Sequence, residues 1–302
     1  ENRIKAKAEA ASALLCLSQG QPVTQKAVAD AGAIKPLVAL LNEEDDHARK
    51  KAAGAIASLA ESSPENQDAV EKNKGLGKLV GLLKPTMNDE VSAEAAAALA
   101  VLARDHSKNQ DKVAAANGIE PLVALLASKA AGTHAKEEAA SALWSLSSKH
   151  YQNQEAIAEA GGIARLVAVL SLGSERAQEQ AAGALASLAL DNTKNELSIA
   201  KLLVSFLETE HQADSAKAAR AISRLARAHA SNQRSIAMAG GIKLLVGKLN
   251  MHEGGVGVDV KSLTGAAAVK AFEMATVQKE MASAIWSMGI DHGENQVAIA
   301  AA

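Results

Sequence analysis

An asparagine followed by glutamine or glutamate recurs along the 302-residue chain at nearly even intervals. The pair begins at Asn66, Asn109, Asn153, Asn195, Asn232 and Asn295, and Thr24-Gln25 stands in the equivalent place near the start. Counted from Thr24, the successive intervals are 42, 43, 44, 42, 37 and 63 residues. Four of the six fall in the range of two- or three-helix repeats, and one deletion and one insertion explain the other two. The spacing predicts a single elongated body of stacked repeats rather than two globular domains.

Each unit contains the same three segments. A short apolar helix, such as residues 154–160, follows the asparagine and ends at a glycine-containing turn. We expect these glycines to end the helix in the left-handed conformation; they are Gly32, Gly118, Gly161-Gly162 and Gly240-Gly241. The second helix reads Ile-x-x-Leu-Val-x-x-Leu at 34–41, 119–126 and 163–170, with Pro36 and Pro121 in its first turn. The third helix is longer and rich in alanine, which lets neighbouring helices approach closely.

The junction between units carries recurring polar residues. We expect the asparagine to cap the first helix, whose early N–H groups need an acceptor. Histidines recur five residues after one position of the third helix, at His106, His150, His229 and His292. We expect them to interact with the carbonyl-rich end of the third helix. Because stacked helices lie roughly 8–10 Å apart, His106 and His150 are not expected to share a metal ion.

Composition narrows the function classes. Apolar residues make up 48% of the chain and aromatics 2%, so the core must be built of thin layers of small aliphatic side chains. A formal charge of -2 gives no global attraction to nucleic acid or to an anionic membrane. The single Cys16 excludes an internal disulfide and suits a reducing compartment. No stretch predicts a membrane span, so we expect a cytoplasmic or otherwise intracellular protein, with nucleus and cytoskeleton left open.

The unit built of Asn-Gln, Ala-Gly-Gly-Ile, Leu-Val-x-Leu-Leu and Ala-Leu-x-x-Leu resembles the armadillo repeat, and the resemblance covers nearly the whole chain. It implies an all-α fold, a right-handed α-solenoid of three-helix units whose third helices line a concave groove. Members of that family act as adaptors, nuclear-import receptors, junction proteins, ubiquitin-ligase substrate modules or axonemal scaffolds. The resemblance therefore implies protein binding without choosing among these roles.

The repeat pattern also predicts the organisation of the chain as one array over residues 1–302. The predicted units are a third helix at 1–20, repeats at 23–63, 64–106, 107–150, 151–191, 192–229 and 230–292, an insertion at about 251–272 in the last of these, and the start of a further repeat at 293–302. This organisation predicts an excerpt of a longer array. In the fifth unit the glycine turn is missing, so we expect its first two helices to be shortened or fused. After the insertion, the pattern over 263–288 predicts an extended third helix.

Some armadillo members carry a groove asparagine that bonds an extended peptide, with a tryptophan four residues earlier. The asparagine positions here hold Cys16, Ser58, Val101, Ser145, Ser187, Arg224 and Ser287. The loss of both residue types disfavours nuclear-signal recognition by that mechanism, and the serines would support only a thinner hydrogen-bonding ladder. The predicted groove surface comprises Ser58, Val101, Trp144, Ser145, Ser187, Lys217, Arg220, Arg224, Arg227 and Ser287.

Charged residues on the third helices suggest a partner. Lys217, Arg220, Arg224 and Arg227 lie at spacings of three, four and three, which places them on one helical face. Guanidinium groups bind carboxylate or phosphate in two-point geometry, so the face could anchor an acidic or phosphorylated segment. The alternative is a solvated face. Likewise the pairs Glu90 with Glu94 and Glu137 with Glu138 either make the groove bipolar or keep an alanine-rich helix soluble.

The chain shows no His-Glu-x-x-His, paired cysteines or Gly-x-Ser-x-Gly, so we expect no enzyme, metal or cofactor. Few aromatics are present to stack bases, which disfavours nucleic acid. We expect a monomeric, non-catalytic scaffold or adaptor that binds a protein segment along the groove. The alternative is a structural component of a large assembly, such as an axoneme, that uses the convex face and the insertion. A nuclear-import-type receptor and a ubiquitin-ligase targeting module are less favoured.

Overall fold

The computed structural model describes residues 2–209, 212–228, 230–250 and 266–302, leaving aside the side chains of 171–172, 212–214, 228, 230, 250 and 266–277. Over these residues the chain forms nineteen helices and no strand, so the prediction of an all-α solenoid is confirmed. Most of the predicted insertion, residues 251–265, lies outside the described residues.

The helices follow one another in a recurring order of two shorter helices and one longer helix. They are α1 Asn2–Ser18; α2 Pro22–Asp30, α3 Ile34–Leu40 and α4 Asp46–Ala60; α5 Pro64–Lys72, α6 Gly75–Gly81 and α7 Asp89–Ala103; α8 Ser107–Ala115, α9 Ile119–Ala127 and α10 Thr133–Ser147; α11 Tyr151–Glu159, α12 Gly162–Leu172 and α13 Glu175–Ala189; α14 Thr193–Leu207 and α15 Gln212–Ala228; α16 Ala230–Met238, α17 Gly241–Asn250 and α18 Ala266–Gly289; and α19 Gly293–Ala301.

The long helices form the central stack of the molecule: α1 packs on α4, α4 on α7, α7 on α10, α10 on α13, and α15 on α18. Their alanines, including Ala55, Ala98 and Ala142, are fully buried between neighbours, because a methyl group permits close approach of two helices. Leucines one turn further on, such as Leu102 and Leu146, are fully buried as well. Each contributes roughly 1.5–3 kcal/mol through the apolar surface it removes from water.

The recurring asparagine joins one unit to the next and does not cap its helix, so that prediction is wrong. Asn109 is the third residue of α8, and its side-chain Nδ2 donates to the carbonyl of Leu102 near the end of α7 at 2.8 Å. Asn153 bonds the carbonyl of Leu146 in the same way at 3.0 Å. The backbone N–H of the asparagine is the group that receives the cap, because the capping residue lies three positions earlier.

In three units that capping residue is the recurring histidine. The expectation that these histidines interact with the carbonyl-rich end of the third helix is therefore wrong. Nδ1 of His106, His150 and His292 accepts from the N–H three residues later, at 3.3 Å in each case. An accepting Nδ1 places the ring proton on Nε2. In His150 this Nε2 donates to Oδ1 of Asp111 in the preceding unit at 3.0 Å. His229 lies outside the described residues.

The glutamine after the asparagine bonds the third helix of its own unit. Nε2 of Gln110 donates to the carbonyl of Ser145 at 2.8 Å, and Nε2 of Gln154 donates to that of Ser187 at 2.9 Å. The Asn-Gln pair therefore bonds two successive third helices at once. In the fifth unit the glutamine of this pair is replaced by Glu196. Its carboxylate accepts from Ser235, and the side chain has no N–H to donate to α15.

The turn after the first helix needs one left-handed residue. Gly161 fills this position with φ 77°, as expected. At the equivalent turn of the next-preceding unit, the left-handed residue is Asn117, with φ 56°, and not Gly118. The expectation for Gly118 is therefore wrong. Gly118 is needed for close packing instead, because a β-carbon there would lie 2.7 Å from Cγ1 of Val113.

Two units depart from the three-helix pattern. In the fifth, the first two helices merge into the 15-residue α14, one of the two outcomes that the missing glycine left open. In the sixth, α18 is 24 residues long against 15 in α4, α7, α10 and α13.

Candidate partner-binding surface

The predicted groove residues lie on the third helices, and we call the solvent-facing side of α4, α7, α10, α13, α15 and α18 the third-helix surface. The serines predicted there are buried, which argues against their role as a ladder for a partner. Ser58 bonds Ser18 of α1 at 2.9 Å, Ser187 bonds Ser147 of α10 at 3.0 Å, and Ser287 bonds Ser223 of α15 at 2.9 Å. These hydroxyls join neighbouring helices, because a buried hydroxyl needs a partner.

Ser145 is also buried, and Val101 is partly exposed. Trp144, one residue before Ser145, is 39% exposed. Its ring covers Gly183 of the next third helix, where a β-carbon would lie 2.6–2.7 Å from three ring carbons. The indole can rest on α13 only because that position lacks a side chain.

A recess of about 360 Å³ opens beside this tryptophan. Its lining combines one aromatic ring, several hydroxyl and amide groups, and one charge of each sign: Arg104, Asp105, Ser141, Trp144, Ser145, Ser148 and Gln180. Such a mixture of an apolar surface and oriented polar groups is typical of sites that bind a polypeptide side chain.

Trp286 of α18 is a further aromatic side chain among the described side chains of the third-helix surface and is 64% exposed. The guanidinium carbon of Arg227 lies 5.4 Å from its ring centroid, within the range of a cation–π interaction. The predicted groove set lacked Trp286. Trp286 precedes Ser287 by one residue, just as Trp144 precedes Ser145. This repeated position is the sequence signal that could have placed Trp286 in the predicted groove.

Two of the four basic residues of α15 are engaged by α18. Arg220 Nη2 bonds Oε1 of Glu280 at 2.9 Å. Arg227 donates from Nε to Oγ of Ser287 and from Nη2 to Oγ of Ser283, at 3.2 and 3.3 Å. Lys217 has a polar interaction as well. Arg224 is half-buried and its side chain has no hydrogen bond or ion pair with any described residue. Of the four basic residues on this face of α15, it is therefore the one left open to a partner.

Two of the four acidic residues predicted on the third helices, Glu90 and Glu138, are paired with cations of a neighbouring helix. Nζ of Lys50 lies 2.7 Å from Oε2 of Glu90, and this hydrogen bond lowers the pKa of the Glu90 carboxyl. Glu138 is buried and accepts from Nη2 of Arg176 at 2.9 Å. Burial raises its pKa above the ordinary value, although Arg176 acts in the opposite direction. These pairs join α4 to α7 and α10 to α13, so both carboxylates already have a cationic partner on a neighbouring third helix.

The described residues contain neither a metal-binding cluster nor a membrane-spanning helix. Among the described side chains, no three of His, Cys, Asp or Glu come together in a way that could hold a metal ion. In the described part of the chain, none of the helices combines the length and apolar character needed to cross a bilayer.

Comparisons with known proteins agree with this geometry. The model of the armadillo/beta-catenin-like repeat matches residues 22–61 and 150–190. None of the curated proteins compared with the chain matches it in sequence. An engineered protein from the Northeast Structural Genomics Consortium is 29% identical, with a TM-score of 0.57, over 83% of this chain and 97% of its own.

Two designed proteins are similar in structure. The designed armadillo repeat protein YIII(Dq)4CqI is 25% identical, with a TM-score of 0.60, over 72% of this chain and 92% of its own. A second designed armadillo repeat protein, solved in complex with the peptide (KR)4, is 22% identical, with a TM-score of 0.54, over 85% of this chain and 99% of its own. The likeness to the second shows the fold alone.

The stacked units and their inter-unit hydrogen bonds define an α-solenoid scaffold. The family match and the designed neighbours support an armadillo-repeat protein.

Proposed function

We propose that this chain is a non-catalytic scaffold that binds a segment of a partner protein along its third-helix surface. The observation that carries the proposal is the placement of Trp144 and Trp286, the two tryptophans of the chain. Both occupy the same register of a third helix and both are exposed, in a protein with 2% aromatic residues. Exposed indoles are costly in water and are the side chains most often found at the centre of protein interfaces.

The surroundings of the two rings support a polypeptide as the ligand. The recess beside Trp144 offers Arg104, Gln180 and several serine hydroxyls to backbone or side-chain polar groups. Between the two tryptophan-bearing helices lies Arg224 of α15, the cation of the stripe without a described partner. A segment that contacts both rings would pass this guanidinium, so a carboxylate in its middle would complete a charge-assisted hydrogen bond.

The test is selection of peptides from a random display library on the wild-type chain, followed by affinity measurements on purified variants. We expect selected peptides to bind at least about tenfold more weakly to Trp144→Ala and to Trp286→Ala, as for a truncated aromatic anchor. Tyr151→Ala is the matched control, because Tyr151 is 55% exposed but belongs to α11, which is not a third helix.

Circular dichroism first establishes that each variant is folded. If no peptide is enriched, or if enriched peptides bind the tryptophan variants and Tyr151→Ala equally well, the proposal is wrong.

A further inference from the structure

A second surface, separate from the third-helix surface, gathers positive charge. Between the first and second units a recess of about 560 Å³ is lined by Arg49, Lys74, Lys78 and Lys84, and its remaining lining residues are all neutral. We call it the basic recess. Four cations without a carboxylate in the lining are unusual in a chain whose formal charge is -2. Such a concentration of one sign raises the local concentration of anions.

The same place in the fold recurs at the next two junctions, and there positive charge is not concentrated. The recess between the second and third units is lined by Asp89 and Glu120 in addition to Lys84, so its acids outnumber its one cation. The recess between the third and fourth units contains Lys136 as its one charged lining residue. The basic character is therefore a property of these side chains and not of the armadillo architecture.

Three of the four cations of the basic recess make no ion pair with a described residue. The side chains of Lys74 and Lys84 are exposed and make no hydrogen bond or ion pair with any described residue. Nζ of Lys78 donates to the carbonyl of Val38 at 3.1 Å, which fixes its position without neutralising its charge. Arg49 pairs with Asp46 through Nη1 at 3.0 Å, but its buried Nε has no hydrogen-bond partner in the described structure. An unmade hydrogen bond at a buried N–H is costly.

Lys74 also stands in a position that disfavours lysine. Its φ is 61°, in the left-handed region, and the equivalent positions hold Gly32, Asn117, Gly161 and Gly240. Glycine and asparagine tolerate this conformation, whereas a lysine there is strained. The chain thus places a positive charge in the lining of the recess against the conformational preference of the residue.

We propose that the basic recess binds a phosphorylated side chain of a partner polypeptide. A phosphate monoester carries about 1.5 to 2 negative charges and three acceptor oxygens, which match several cations better than one carboxylate does. The uncharged floor, with Leu41 and Leu82, suits the hydrocarbon part of the phosphorylated residue. The acidic residues 43–46 follow the lining residue Asn42 directly in the chain and would repel an anionic bilayer. They favour basic residues beside the phosphate.

The experiment uses the whole 302-residue chain and two degenerate fluorescent peptide libraries, one with a central phosphoserine flanked by Lys and Arg and one with serine in its place. Fluorescence polarisation at physiological salt compares wild type with the double variant Lys74→Glu, Lys84→Glu. Both lysines are exposed, so the variant is expected to fold. The matched control is Lys112→Glu, Lys129→Glu, which makes the same charge change at exposed lysines outside the recess.

We expect wild type to bind the phosphorylated library at least about tenfold more tightly than the serine library, the equivalent of one charge-assisted hydrogen bond. The recess variant should lose that preference, and the control should stay within about twofold of wild type, since isolated surface charges contribute little.

Equal binding of the two libraries, or equal losses in the recess variant and the control, would overturn the proposal. So would binding of vesicles containing about 30% phosphatidylserine that depends on Lys74 and Lys84 in the absence of peptide binding, because the site would then recognise a membrane. Neither result would bear on the tryptophans of the third-helix surface, which are tested separately.

Discussion

Three ring carbons of Trp144 lie 2.6–2.7 Å from the point where a β-carbon of Gly183 would stand. The missing side chain on α13 is thus what allows an indole from α10 to lie across the junction between two third helices. The contact joins the packing of the stack to the surface that we propose binds a partner, because the same ring is buried on one face and exposed on the other.

Replacing Gly183 with Ala is expected to displace the Trp144 ring and to destabilise the chain by about 1–3 kcal/mol, the usual cost of overpacking against a rigid group. In a Trp286→Phe background the remaining tryptophan emission reports directly on the ring, and urea unfolding gives the free energy. Gly77→Ala in α6 is the control, because nothing lies within 4 Å of the added methyl. It should be neutral or stabilising by up to about 1 kcal/mol. Unchanged emission in Gly183→Ala would contradict the packing described for Trp144.

Replacing Asn153 with Ala should remove the hydrogen bond to the Leu146 carbonyl and leave this buried acceptor without it. The expected loss is about 1–3 kcal/mol in the free energy of unfolding, measured in urea. Gln152→Ala, at an exposed position in the same helix, separates this loss from any effect on the helix itself. If both variants unfold at the same urea concentration, the asparagine does not hold the two units together.

His150 caps α11 through Nδ1, and the equivalent cap of α14 is provided by Asn192. His150→Ala should therefore cost about 1 kcal/mol in urea unfolding, the typical value of a lost N-cap. His150→Asn should cost less, since an amide oxygen can accept from the same N–H. Equal losses in the two variants would show that the bond from Nε2 to Asp111, and not the cap, is what stabilises this junction.

Glu138→Gln is expected to change how stability depends on pH. Burial raises the pKa of Glu138 above its ordinary 4.5, so the folded chain binds this proton more tightly than the unfolded chain. Its contribution to stability is therefore fully present at low pH and is lost as pH rises through the raised pKa. The amide does not ionise and keeps an acceptor for Arg176, so the variant should be slightly more stable than wild type at pH 8.

The stability gap should close as pH falls below about 4.5, the ordinary glutamate value, where the carboxyl is protonated in both states. Urea unfolding between pH 4 and pH 8 measures the gap. Glu159→Gln removes one charge at an exposed position of α11 and serves as the control. A variant that is less stable than wild type at pH 8, by an amount that disappears at low pH, would show that Arg176 outweighs burial and that the pKa of Glu138 is lowered.

The fold could be predicted from the sequence because each repeat is defined by local sequence patterns. Helix periodicity, a turn glycine and an alanine-rich third helix recur with nearly the same spacing, and each depends on neighbours within a few residues. The same local signals identified the irregular fifth unit, where the missing glycine turn corresponds to the continuous α14.

The roles of the junction residues could not be read from the sequence. A histidine three residues before an asparagine is compatible with either residue as the cap, and only the backbone of the preceding turn decides which side chain faces the free N–H groups. The structure assigns the cap to His150 and turns Asn153 toward Leu146.

The charged surfaces also show what the sequence reveals and what only the structure decides. The stripe of Arg220, Arg224 and Arg227 is contiguous on one helix, so the sequence displayed it; yet α18 supplies partners for two of the three. Arg49 lies on α4, Lys74 and Lys78 at the start of α6 and within it, and Lys84 in the loop after α6, so no single helical spacing relates all four. The sequence determined the repeats and which residues carry charge. The stacking of units decided which charges are neutralised and which face solvent together, because electrostatic interactions depend on distances between elements and not on positions along the chain.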